Sequence, residues 1–151
     1  MRQETRRHDV PSEGGVFLNL ERLADLTVNN DNNTPIPWDS IPVQDGEWNF
    51  TAGNSEIYFP KAGIYQAVLN LQWNAESDVL IRSCYYALSG VEAAGARDRI
   101  INLGSGNALV RSLPKVFNVL DVTVPLEVYV YHNRGGGLTT TVVGQLGIWM
   151  I

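Results

Sequence analysis

Few side chains in this chain could carry covalent or acid–base chemistry. There is one cysteine, Cys84, and two histidines, His8 and His132. A thiol needs a neighbouring base to act as a nucleophile. Cys84 lies in an apolar run and His132 closes a β-type run beside Asn133-Arg134. Each fits a structural role, and spacing alone does not bring the two together. No Gly-x-Ser-x-Gly elbow is present. Gly104-Ser105-Gly106-Asn107 begins like a phosphate loop but lacks the last glycine and a strand–helix setting, so it reads as a turn. Gly135-Gly136-Gly137 reads as a flexible tip. Asp31, Asn32 and Asn33, and Asp45 with Glu47, offer oxygens of the kind calcium takes, but solvated loops account for both sets. No catalytic residue, metal ligand or cofactor is expected. The chain reads as a non-enzyme, which leaves binding.

The totals narrow the partner. At 151 residues the chain is most simply one domain with a substantial core. Its 44% apolar and 18% charged content is that of a folded protein. A net charge of -5 argues against nucleic acid, which calls for a basic surface. Residues 1–15 contain no apolar segment of secretory type, and no apolar run approaches the ~18 residues of a membrane helix. The expectation is a soluble protein made in a cytoplasm, with no membrane partner. The triplets Asn32-Asn33-Thr34 and Asn49-Phe50-Thr51 would carry sugar only on a secreted chain.

The elements that must position any binding residues are strands. Residues 55–73 organise the reading. Ile57 and Phe59 alternate with polar neighbours, and Pro60 stops the ladder by removing a donor. Lys61-Ala62-Gly63 turns the chain; then Tyr65, Ala67, Leu69, Leu71 and Trp73 share one face, and Ile64, Gln66, Val68, Asn70 and Gln72 the other. This predicts a strand, a tight corner and a longer strand. Residues 1–25 read as an extended arm, with residues 16–26 fitting helix and strand spacing about equally. Further strands are predicted over residues 79–88, 99–103, 108–120 (bulged near Pro114), 126–132 and 138–151, with a small-residue loop over 89–96. Turn signals every 8–12 residues indicate an all-β sandwich or jelly roll.

The last strand is apolar on both sides. Leu146, Ile148 and Met150 fall on one face, and Trp149 and Ile151 on the other. A strand in a sandwich needs only one apolar face, so something must cover the second. Tyr129 and Tyr131 add aromatic area on the second face of their own strand. Aromatics concentrate at interfaces. Either the N-terminal segment folds back over this surface or another copy of the chain does. Tyr129, Tyr131, Trp149 and Ile151 are therefore the candidate self-association residues.

A family resemblance adds to this. Asp45, Phe50, Ile57, Gly63 and Tyr65 follow the spacing of the signature in the globular heads of complement-type collagen-like proteins. Asp39 departs from it where the family has its first aromatic, and Ala67 and Leu69 replace later ones. Trp38-Asp39, Trp48, the Pro60 to Tyr65 corner and Gln72-Trp73 more closely resemble virion proteins of tailed bacteriophages with the same jelly roll. The resemblance covers residues 23–151. It implies a ten-strand antiparallel jelly-roll sandwich of tumour-necrosis-factor type over residues 26–151, assembled as a homotrimer with the last strand near the threefold axis. The function implied is capsid decoration: a trimer on the outer head surface that stabilises the shell. Its partners would be itself, the major capsid protein and neighbouring decoration trimers. Arg2, Arg6, Arg7, Phe17 and Leu20 of the arm would make the contacts to the shell or a neighbouring trimer. The alternative is the receptor-binding head of a tail or head fibre, using Trp48, Trp73 or the loop around Arg134.

Overall fold

The computed structural model describes residues 16–74, 81–101, 109–133 and 139–151. Among them are nine strands and no helix: β1 (Phe17–Asn29), β2 (Thr34–Pro35), β3 (Ser40–Gln44), β4 (Gly63–Trp73), β5 (Ile81–Leu88), β6 (Val91–Ile101), β7 (Leu109–Val119), β8 (Leu126–Asn133) and β9 (Thr139–Met150). They form two antiparallel sheets, ordered β3-β1-β9-β4-β7 and β2-β8-β5-β6.

Period-two patterning decides what lies between the sheets. Leu18 and Leu20 of β1, Tyr65 to Trp73 at alternate positions of β4, and Leu146 and Ile148 of β9 are buried from one side. Cys84 and Tyr86 of β5 and Leu126, Val128 and Val130 of β8 meet them from the other. Trp38, in the connection between β2 and β3, is fully buried. Trp48, Phe59 and Tyr65 pack with ring centroids 4.7, 5.9 and 6.1 Å apart. Such pairs contribute about 0.5–1.5 kcal/mol each beyond area burial. Phe50 and Ile57 are buried in the same core cluster.

Several sequence expectations change. The arm does not extend to residue 25, because β1 begins at Phe17 and fills the slot beside β9. Its mixed spacing has a physical origin. The β1–β9 register shifts between Arg22 and Leu26, so a bulge interrupts the alternation and mimics a helical period. Residues 55–59 form no hairpin with β4. Only Ile57 pairs, exchanging two 2.9 Å backbone bonds with Leu126 in the opposite sheet. Gly63 serves close packing, since a Cβ there would lie 2.3 Å from the Met150 methyl. The loop expected over residues 89–96 is a two-residue hairpin. Ser89 and Gly90 both have positive φ (48° and 74°), the type I′ geometry that matches strand twist, and β6 starts at once. Pro114 causes no break, because β7 is an edge strand whose pairing with β4 runs unbroken from Gly63↔Val119 to Trp73↔Leu109. Nine strands, not ten, are present among the described residues.

Candidate functional site

Cross-strand pairing arranges the outer face of the five-stranded sheet in rows. One row is Val43, Asn19, Gly147, Val68 and Pro114. The next is Phe17, Trp149, Gln66 and Val116. Beyond it, Ile151 bonds to the Ile64 carbonyl at 2.9 Å, and Ile64 pairs with Asn118. Ile64, Val116 and Ile151 are 47%, 52% and 63% exposed. The outward positions of β4, β7 and β9 that the structure describes carry no charged side chain. A polar row bounds the patch at Glu21, Gln145, Asn70 and Ser112, with Gln145 Nε2 donating to Glu21 Oε1 at 3.0 Å.

Trp149 is central to this patch and half-buried. Gly147, two residues before it, leaves room for the indole: a Cβ there would meet Trp149 Cζ3 at 3.6 Å. The Phe17 ring lies beside it at 6.5 Å, tilted 38°. Phe17, at the start of β1, therefore flanks Trp149 within the sheet. Charge depletion together with aromatics marks the core of a protein–protein interface.

A second device holds one end of the sheet. The β1 bulge brings the Leu23 and Ala24 amides onto Asp39 Oδ1 and Oδ2 at 2.9 and 3.0 Å, with Arg22 Nη1 3.3 Å from the same carboxylate. Burial pushes the Asp39 carboxyl up. The two amides and the Arg22 charge outweigh it and hold the group below the usual carboxylate range. The residue that departs from the complement-head signature thus clamps a bulge.

The sequence-derived site residues scatter. Trp149 and Ile151 lie on the five-stranded sheet, whereas Tyr129 and Tyr131 point outward from the four-stranded sheet on the opposite side of the sandwich. There they have partners within the chain. Tyr129 stacks on Tyr85 at 5.4 Å and 9°, Arg97 sits 4.3 Å over Tyr85, and the Tyr131 hydroxyl donates to Asp31 at 2.8 Å. Phe17 joins the patch, but Leu20 is fully buried and open to no shell contact. Arg2, Arg6, Arg7 and His8 lie outside the described residues, as do 104–107 and Arg134 to Gly137. Trp48 and Trp73 are core residues, 4% and 1% exposed, and form no receptor surface. Cys84 and His132 are both buried, and His132 Nε2 lies 2.7 Å from the Val28 carbonyl. The candidate calcium oxygens are engaged as well: Asp45 accepts from the Phe17 and Glu47 amides, and Glu47 pairs with Lys61 at 2.9 Å. The sequence reading overlooked Ile64, Val68 and Val116 as patch members. Counting charges on each face of residues 63–73 would have flagged the first two.

Two antiparallel sheets in this strand order make the molecule a tumour-necrosis-factor-like jelly roll. Among solved structures, that of Eiger TNF from S. frugiperda is similar, with a TM-score of 0.56 at 9% identity over 91% of this chain and 92% of that one. At that identity the likeness is one of fold. No family model and no curated protein sequence matches the chain.

Proposed function

We propose that the chain is a decoration protein of a tailed-phage capsid, a homotrimer on the outer head surface that stabilises the shell. The observation that carries the self-association is the uncharged outward face of β4, β7 and β9, centred on Trp149. Three copies closing around that face would remove Ile64, Val116, Trp149 and Ile151 from water, at about 25 cal/mol for each Å² of apolar surface. A cyclic trimer joins two different surfaces of each subunit, so the face need not be self-complementary. The virion assignment rests on the resemblance in the Trp38-Asp39, Trp48 and Pro60 to Tyr65 motifs. Arg2, Arg6 and Arg7, ahead of β1, would pair bidentately with carboxylates of the shell. The major capsid protein and adjacent trimers would be the partners.

The test has two parts. Sedimentation velocity should give three times the chain mass for the native protein and one chain mass for Trp149→Asp. Capsids of the encoding phage, stripped of this protein, should take up the native trimer and lose that uptake when residues 1–15 are deleted. A monomeric native chain would reject the interface, and undiminished uptake of the truncated chain would reject the arginine contacts.

A further inference from the structure

We infer that the loop joining β3 to β4 builds a binding cleft for a neutral saccharide, away from the uncharged sheet face. The cleft has a volume of about 330 Å³, and Asn49, Asn54, Ser55, Glu56 and Tyr58 line it. Its frame is held from several sides. Trp38 donates its amide to the Asn54 carbonyl at 3.0 Å and accepts from the Gly53 amide at 2.6 Å. The Phe50 amide donates to Gln44 Oε1 at 3.0 Å, and Ile57 is paired to Leu126. A rim fixed at these points does not have to be ordered when a ligand arrives, which removes part of the cost of binding.

The groups presented define the ligand. Tyr58 is 49% exposed, and its hydroxyl is tethered to Glu56 Oε2 at 2.9 Å. That leaves an aromatic ring in a set position and Glu56 Oε1 as an open acceptor. Asn49 and Asn54 are exposed, and their side-chain amides bond to no other described residue. Each offers two donors and one acceptor. Glu127 beneath is spent: it is buried and accepts from the Ser55 hydroxyl at 3.4 Å and the Tyr129 hydroxyl at 3.2 Å. It acts as a positioning residue for Ser55. One open carboxylate is too little to hold a metal ion, and no group of three metal-type ligands occurs among the described residues. A pyranose fits this set. Its apolar C–H face packs on an aromatic ring, while its hydroxyls meet amides and a carboxylate in both hydrogen-bonding senses.

The experiment uses the full chain with maltotriose, cellotriose, lactose and tri-N-acetylchitotriose, read by saturation-transfer NMR and calorimetry. At least one should bind, with a dissociation constant on the order of 0.1–1 mM. Tyr58→Ala should weaken that binding tenfold or more, and Tyr58→Phe should weaken it less. Val91→Ser, at an exposed position at the start of β6, should leave it unchanged. Tyr58 and Val91 are both exposed, so the variants should keep the native far-ultraviolet spectrum. Absence of binding by all four sugars overturns the inference, as does binding indifferent to Tyr58→Ala. Capture of a lysine-rich peptide that is lost in Glu56→Gln, with no sugar bound, would also overturn it and make the cleft a seat for basic peptides.

Discussion

Asp39 shows how one side chain can matter through the backbone it holds. Two amides of the β1 bulge and Arg22 share its carboxylate. Asp39→Ala removes these acceptors and should cost about 1–2 kcal/mol, read as a shift in the denaturation midpoint at constant slope. The pH dependence follows from the lowered pKa. A carboxyl whose folded value lies below its unfolded value contributes fully above the unfolded value and loses that contribution as pH falls through the folded one. Stability should therefore drop below about pH 4, and Asp39→Asn should flatten that part of the profile in a pH series of melts. Glu92 has the same sign, since the Arg97 hydrogen bond lowers its carboxyl, but the pair lies open to solvent and adds little. Sequence showed Asp39 as a departure from the complement-head signature and as half of the Trp38-Asp39 motif, not as a clamp. Its role depends on residues 22–24 looping out, which no local pattern announces.

At the scale of strands, β9 carries the architecture by sitting between β1 and β4. Close approach to β4 leaves no room at Gly144, where a Cβ would meet Leu71 Cδ2 at 2.4 Å and the Asn70 carbonyl oxygen at 2.7 Å. The backbone atom cannot swing aside. Gly144→Ala should therefore force the two strands apart and cost about 1–3 kcal/mol in chemical denaturation. Strands with clear alternation, such as β4, β8 and β9, were legible from the residues alone. Three features were misread where local chemistry has two outcomes. Ser89-Gly90 was absorbed into a longer small-residue loop, and Pro114 was taken for a bulge because edge position is invisible in a sequence. Residues 55–59 alternate like a strand yet pair at one position only.

For the whole molecule, the two outer faces differ in kind. The four-stranded sheet turns out Tyr85, Tyr129, Tyr131, Arg97 and Glu92, joined to one another or to Asp31 by stacking, ion pairing and hydrogen bonds. The five-stranded sheet turns out Trp149, Ile64, Val68 and Val116 with no charge on β4, β7 or β9 among the described residues. If copies of the chain cover the second face, the melting temperature should rise with protein concentration, because association stabilises by mass action. Val116→Lys should abolish that dependence in scanning calorimetry while leaving the monomer folded, since the position is already half exposed. The sequence by itself determined the all-β class, the inward half of most strands and the presence of surplus apolar area on the last one, because period-two alternation is a local property of the chain. Only the tertiary structure decided that Tyr129 and Tyr131 lie on the opposite side from Trp149, that Phe17 stands beside Trp149, and that Leu20, Trp48 and Trp73 are enclosed. Those outcomes depend on which strands pair and in what register, and pairing is settled by contacts between residues far apart in the chain.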